Sequence, residues 1–282
     1  MMGGPDKVQN NWRLELFLTK AFIDAQVKRK YDAEMQCQQE AYDALRQAST
    51  VGMSAAVANA RSALARIDKE FQSQPDFVKE MQSWGVSGRY GDLSKTLENL
   101  YRSLTDRGWL QVQLDKAKTL PDIEKILNHE DAGPGGFYDD LGVEGKQPHL
   151  VRQKTWKEDP GFVHSPIEWI DHDSGAKRRQ SQRSHALARY DTPLIMRWEG
   201  LDPKASYRIE VVYVGPFDPV FRCDTDDGFE IHGPRGNSKE TPVPYSIPPA
   251  STKDGVLQLE WRVTNATRGV SVTEIWLKKD SP

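Results

Sequence analysis

This sequence is short of the features that usually place a protein quickly. Its 282 residues include two cysteines, Cys37 and Cys223. That is too few for the disulfide framework of a small secreted domain, and two lone cysteines settle no redox compartment. They fall in regions of different character, so a bridge between them is not the default expectation. No apolar run approaches the ~18 residues that a membrane span needs. Residues 1–11 lack the apolar core of a secretory signal, which points to a cytosolic protein or a piece of a longer chain. An excess of one charge is missing as well. With 38 basic and 41 acidic residues the formal charge is −3, so no strong field would draw the chain to nucleic acid or an anionic membrane. Only 37% of residues are hydrophobic, yet there are eight tryptophans, which argues against a mainly disordered chain.

Motifs of established chemistry are missing too. There is no HExxH for a zinc protease and no GxSxG for a serine hydrolase. The GPGG run at 133–136 is no phosphate loop, because no Lys-Ser/Thr follows it and no strand is expected before it.

What is there divides the chain in two. Residues 12–47 are nearly free of Gly and Pro. Leu14, Leu18, Phe22 and Ala25, then Val27, Tyr31, Met35, Tyr42 and Leu45, recur at helical spacing and predict one long amphipathic helix. Gly52 breaks it. A second helix follows on Val57, Ala60, Leu64, Ile67 and Phe71. After the glycines at 85, 88 and 91, further helices are expected from Asp92, from Asp106 and, behind a capping box of Thr119 and Asp122, over Ile123, Ile126 and Leu127. Short loops predict antiparallel neighbours in a bundle over residues 1–128.

Residues 129–186 change character. Five glycines, Pro134 and several acids within 129–146 stop any helix, and Pro148, Pro160 and Pro166 keep the next stretch irregular. This segment is expected to be a connector packed on the domain that follows. Its basic run at 178–189 reads as a solvated loop, with an anion or glycan-acid contact as the sharper alternative.

Residues 187–282 alternate with period two. Leu194, Met196 and Trp198 form one set, Tyr207, Ile209, Val211 and Tyr213 a second, and Leu257, Leu259, Trp261 and Val263 a third. Val270, Val272 and Trp276 mark a last strand. Asp226-Asp227-Gly228, 233–236 and Lys253-Asp254-Gly255 are turn signals. Strands without intervening helices predict an antiparallel sandwich. The fold class is therefore α+β: an N-terminal helical bundle followed by an antiparallel, jelly-roll-like β-sandwich.

Three sets of residues could carry function. Glu130, Asp131, Asp139 and Asp140 offer hard oxygens on a glycine-rich loop, the requirement of Ca²⁺, although the spacing is not that of an EF-hand. A catalytic reading combines Asp139, Asp140 and His149 in a glycan hydrolase or lyase. Against it, adjacent residues in an extended chain point apart. Trp156 and Trp169, in the irregular segment, are the aromatics free to stack on a sugar. Asp226, Asp227 and Asn237 would add polar contacts at a sandwich edge. Trp198 and Trp261, on strands, are expected in the core.

The segments GPGGFYDDLG (133–142), QPHLV (147–151), YDTPLIMRWEGLDPKASYRIEVVY (190–213) and DDGFEIH (226–232) resemble the C-terminal region of large multidomain bacterial proteins of the planctomycete, polysaccharide-related type. In these a helical stretch precedes the block and a β-sandwich closes the chain. The terminal strands, around Leu257, Leu259 and Trp261 and in VTEIWL (272–277), resemble those of galactose-binding-like and malectin-like jelly rolls, which bind sugars and often carry a structural calcium. The resemblance implies an extracytoplasmic or secreted setting, a glycan or a catalytic domain of the same polypeptide as partner, and no chemistry of its own. Two alternatives stand beside this noncatalytic glycan-binding reading. One is a structural module that self-associates through its long helices. The other is the hydrolase or lyase centred on 129–149.

Overall fold

The computed structural model describes residues 12–70, 103–143, 145–155, 179–183, 186–187, 192–214, 219–238, 241–265 and 270–280. Trp156 and Trp169 lie outside them, as do Phe71 and the helix expected from Asp92. The chain forms two compact units, which meet in sequence between Leu127 and Asn128.

In the helical unit, α1 (Trp12–Arg46) turns through α2 (Ala48–Val51) and Gly52 into α3 (Met53–Glu70). Gly52 has φ 88°, a left-handed conformation that glycine adopts without the Cβ penalty. The two long helices run antiparallel: Arg66 of α3 reaches Glu40 of α1 at 2.7 Å, and Ile67 packs with Cys37. Alanines at 41, 48, 56 and 60 let the backbones approach, with Leu45 and Leu64 between them.

The buried stripe of α1 differs from the one its hydrophobicity predicts. Ile23, Val27, Lys30, Glu34, Cys37, Ala41 and Leu45 face inward, whereas Phe17, Leu18 and Phe22 are exposed. A seam at spacings of three and four runs through charged positions. It is tolerated because Glu34 is paired: its Oε2 accepts the N–H groups of Leu104 (2.6 Å) and Thr105 (3.1 Å), and its Oε1 forms an ion pair with Lys30 at 3.3 Å. Helices α4 (Arg107–Lys116) and α5 (Leu120–Leu127) complete the described unit. The capping box forms as expected: Asp122 Oδ2 accepts from the backbone N–H and the hydroxyl of Thr119, both at 2.9 Å.

The second unit is built on two antiparallel four-stranded sheets. The strands are β1 (Phe137–Asp140), β2 (Ala186–Leu187), β3 (Leu194–Glu199), β4 (Tyr207–Val212), β5 (Phe221–Thr225), β6 (Glu230–Arg235), β7 (Val243–Ile247), β8 (Val256–Val263), β9 (Ser271–Val272) and β10 (Glu274–Lys279). One sheet has the order β1-β10-β4-β7, the other β3-β8-β5-β6, and β2 pairs with β9 alone. Alternation fills a single core from both inner faces, with Trp198, Trp261, Tyr213, Phe221, Ile275 and Leu277 at full burial.

The acidic segment expected to be an irregular connector supplies an integral strand, β1, paired along β10. The glycines before it have a steric reason. A Cβ on Gly136 would lie 2.8 Å from the carbonyl oxygen of Leu277 and 2.4 Å from that of Ala132, so only glycine lets the chain pass this close to β10. Gly233 and Pro234, which read as a turn, lie inside β6. Cys37 and Cys223 are both free and buried, one in each unit.

Candidate functional site

Strand β1 puts its two carboxylates on opposite faces of the sheet, as the pleat requires. Asp139 pairs with Ile275 and faces the core, while Asp140 pairs with Glu274 and faces outward. Three environments follow, at different places on the sandwich.

The first is the edge where β1 and β3 adjoin. Asp139 is fully buried. It accepts the backbone N–H of His149 (3.1 Å), the Nδ1–H of the same imidazole (2.8 Å) and the indole N–H of Trp198 (3.2 Å). Since an ionised carboxylate only accepts, Nδ1 carries the proton and Nε2 faces away from Asp139. The ring is wedged between Trp198, stacked at 5.8 Å, and Phe137, edge-on at 5.0 Å. The chain around it is fastened to β3, with Val151 donating to Ile195 (2.9 Å) and Arg197 to His149 (2.8 Å). Of the catalytic trio expected from sequence, the structure brings Asp139 and His149 together. Asp140 stands on the other face, where its Oδ1 accepts the N–H of Gly142 at 2.9 Å.

The second environment covers the outer face of β1 and β10. Glu274 is fully buried, and its Oε1 meets His129 Nε2 (2.9 Å), Tyr138 O–H (2.8 Å) and Arg179 Nε (3.5 Å). Burial pushes its carboxyl up, but the Arg179 charge and then the His129 and Tyr138 hydrogen bonds override it and hold the group down at about 2. The same burial, joined by the Glu274 charge, pushes the Tyr138 phenol well above its ordinary range. Arg179 is itself buried and extends to Glu130 at 2.6 Å, which Lys146 also reaches at 3.0 Å. Trp276 closes the group by donating its indole N–H to the carbonyl of His129 at 2.9 Å. Arg179 is thus an internal counter-ion, not part of a solvated basic loop.

The four residues expected as calcium ligands have separate partners. Glu130 takes two cations, Asp131 accepts the N–H of Gly133 at 2.7 Å, and Asp139 and Asp140 face opposite ways. Among the described residues no cluster of three or more His, Cys, Asp or Glu groups is arranged to hold a metal.

The third environment lies where the edge strands β6 and β7 adjoin. The strands β5 and β6 pair as Phe221 with Arg235 and Cys223 with His232, with a register shift between. One residue separates the first pair on β5 and two on β6, so β6 carries a bulge at Gly233-Pro234. A bulge re-aims side chains. Here it turns both His232 and Arg235, three residues apart, to the inner face at the rim. His232 stacks on Tyr245 at 4.8 Å and 28°. Its Nδ1–H donates to the carbonyl of Gly233 (2.8 Å), and its Nε2 accepts the Tyr213 hydroxyl (2.9 Å). That hydroxyl accepts in turn from the Trp261 indole at 3.0 Å. Burial pushes the His232 pKa below its ordinary value, so the ring is neutral at pH 7. Arg235 lies 5.0 Å above the Tyr213 ring and donates to the Tyr245 hydroxyl. His232, Arg235 and Tyr245 are half-buried, and so is Asn237 beyond them.

Asp226 and Asp227 sit at the β5–β6 turn, both exposed. Gly228 at φ 89° closes this three-residue hairpin. Asp227 is tied to Thr225 and to the Ser251 hydroxyl (3.0 Å), and Phe229 next to it is 43% exposed. Trp198 and Trp261 lie in the core as expected. Sequence reasoning did not single out Tyr213, Arg235, Tyr245 or Glu274. Only strand pairing brings them together, although the DDGFEIH stretch and the 233–237 loop pointed to the right hairpin. Comparison of the chain with protein-family models, with curated proteins and with solved structures finds no match.

Proposed function

We propose that the sandwich unit is a noncatalytic glycan-binding module of jelly-roll type, taking a sugar at the rim formed by β6 and β7. The strand order supports the jelly-roll part of this reading. Apart from the short β2–β9 pair, β1 pairs with β10, β3 with β8, β4 with β7 and β5 with β6. The chain is thus one long hairpin, β1-β3-β4-β5 against β6-β7-β8-β10, wrapped around a core.

The observation that carries the ligand is the stacked His232–Tyr245 pair, half-exposed and beside a guanidinium. Ring faces pack on the apolar C–H faces of sugars, and neighbouring polar groups bond the hydroxyls. Elsewhere the carboxylates that a glycosidase would need are committed: Asp139 holds three N–H donors and Glu274 is kept ionised inside a buried cluster. A general acid needs a raised pKa, not a depressed one. The resemblance to polysaccharide-related bacterial proteins agrees with an accessory role in an extracytoplasmic protein.

The test is a glycan array on the purified chain, with and without calcium, assayed for cleavage products in the same wells. Saturable binding without products, lost in Tyr245→Ala, upholds the reading, and loss in chelator would add a calcium requirement. Products that disappear in His149→Ala would favour the hydrolase or lyase. That second reading has one observation behind it: Asp139 fixes the tautomer of His149 as a carboxylate does for a catalytic base. Silence on every glycan would transfer the function to the helical unit, where Phe17 and Leu18 are 69% and 54% exposed on α1. Sedimentation of the chain would then report self-association.

A further inference from the structure

We infer that the glycan taken at the β6–β7 rim is acidic, and that Arg235 receives its oxyanion, a uronate carboxylate in the first instance. This rests on the glycan-binding reading above and goes further by fixing the ligand's charge.

Arg179, Arg197, Arg208, Arg222 and Arg262 of the sandwich unit each reach a carboxylate. Arg235 reaches none among the described residues. The two carboxylates on the strands of its own hairpin are occupied, Arg222 holding Asp224 at 2.7 Å and Glu230 at 3.2 Å, while Asp226 and Asp227 lie at the turn. Arg235 is nevertheless held in place. The bulge turns it inward, its Nε donates to the carbonyl of Gly236 (3.2 Å), its Nη1 donates to the Tyr245 hydroxyl, and its plane lies over Tyr213. All of these partners are neutral. A guanidinium has five N–H donors in a fixed fork matched to a carboxylate, and here the Nη2 edge has no partner among the described residues.

A half-buried cation without a counter-ion favours an anion more than an exposed one does, because water screens it less. The neutral His232 adds no second positive charge, so the rim offers one oxyanion site beside a stacking face. An acidic sugar presents that combination, a ring with a carboxylate at its edge.

Titration calorimetry on the full chain would compare oligogalacturonate, its methyl ester and a sulfated galacto-oligosaccharide. The ester keeps the ring and removes the charge. Oligogalacturonate is expected to bind at least about tenfold more tightly than the ester. Arg235→Gln should weaken the acid by about ten- to a hundredfold, the range of a lost charge-assisted hydrogen bond, and leave the ester unchanged. Arg235→Lys should fall between, and Tyr245→Phe, which keeps the ring and removes the hydroxyl that orients the guanidinium, should reproduce part of the loss. Preferred binding of the sulfated oligomer, with the same Arg235→Gln loss, upholds the oxyanion site and names sulfate as its source. Equal affinity for acid and ester overturns the inference and leaves the glycan reading standing. An equal loss for both ligands in Arg235→Gln also overturns it, since the residue would then only support the rim. No binding of any oligosaccharide overturns both.

Discussion

The two lateral edges of the sandwich each hold a histidine against an aromatic ring, and they neutralise charge in opposite ways. Where β1 and β3 adjoin, His149 donates its Nδ1–H to a buried carboxylate. Around the corner, on the outer face of β1, Arg179 and His129 converge on Glu274. Asp139 and Glu274 are both answered from within the unit, so the groups hold chain segments to the sheet. Where β6 and β7 adjoin, His232 is tied to a hydroxyl and a carbonyl, and Arg235 lies over a ring with no carboxylate partner among the described residues. In the proposed reading, the chemistry at this rim is completed from outside. Similar residue types thus make a fastening at one edge and, in the proposed reading, a receptive surface at the other, and the difference lies in the counter-ion.

The largest effect is expected at the fastened edge. Glu274→Ala removes the buried carboxylate shared by Arg179, His129 and Tyr138 and leaves Arg179 with Glu130. It should cost about 3 kcal/mol in urea unfolding, the lower end of the range for breaking a buried pair. A cost below about 1 kcal/mol would mean that Glu130 alone holds Arg179. Acid should act on the same group. The Glu274 carboxyl is lowered from 4.5 to about 2, so its contribution is complete above pH ~4.5 and disappears as pH falls towards 2, about 3 kcal/mol in all. His232 is also lowered, so its contribution is complete above its ordinary pKa of ~6.5 and declines below it. Stability measured against pH should therefore fall in two stages. Glu274→Gln should shrink the lower stage, which Glu130 shares, and His232→Gln should remove the upper.

Asp139→Ala leaves three donors unanswered in the core and should cost about 3 kcal/mol, more than His149→Ala at the partly exposed end of the pair. Equal costs would show that the imidazole, not the carboxylate, anchors this edge. Gly136→Ala forces the chain off β10 and should cost about 1–3 kcal/mol. Its melting temperature, compared with that of Gly133→Ala, where a Cβ meets nothing, separates close approach from backbone strain. The smallest effect belongs to the open rim. Arg235→Gln should change stability by no more than about 0.5 kcal/mol, the usual range for a surface change. A large loss would make Arg235 a fastening as well and erase the contrast between the edges.

Much of the architecture was legible beforehand because it depends on local patterns. The alternation through Leu194, Met196 and Trp198 identifies β3, and the Asp-Asp-Gly turn identifies the β5–β6 hairpin. The Thr119–Asp122 box starts α5 where it was expected. Strand β1 was missed because FYDD offers only one clear apolar residue, and β6 because Gly233 and Pro234 look like a turn when they are a bulge. The seam of α1 was misplaced for a related reason. Hydrophobicity marks Leu18 and Phe22, but packing buries Lys30 and Glu34, which becomes acceptable only once Leu104 and Thr105 supply their N–H groups.

By itself the sequence determined that this chain has helices first and strands after, where most turns lie, and that Asp139 and Asp140 must face opposite ways. Those properties follow from spacing along a few neighbouring residues. The tertiary structure decided the rest: that Asp139 meets His149 and Trp198, that Glu274 gathers His129, Tyr138 and Arg179, and that Arg235 turns onto Tyr213 and Tyr245 with no counter-ion among the described residues. These groups come from strands far apart in the chain. Register and the bulged pairing of β6 bring them together, and no local pattern records either.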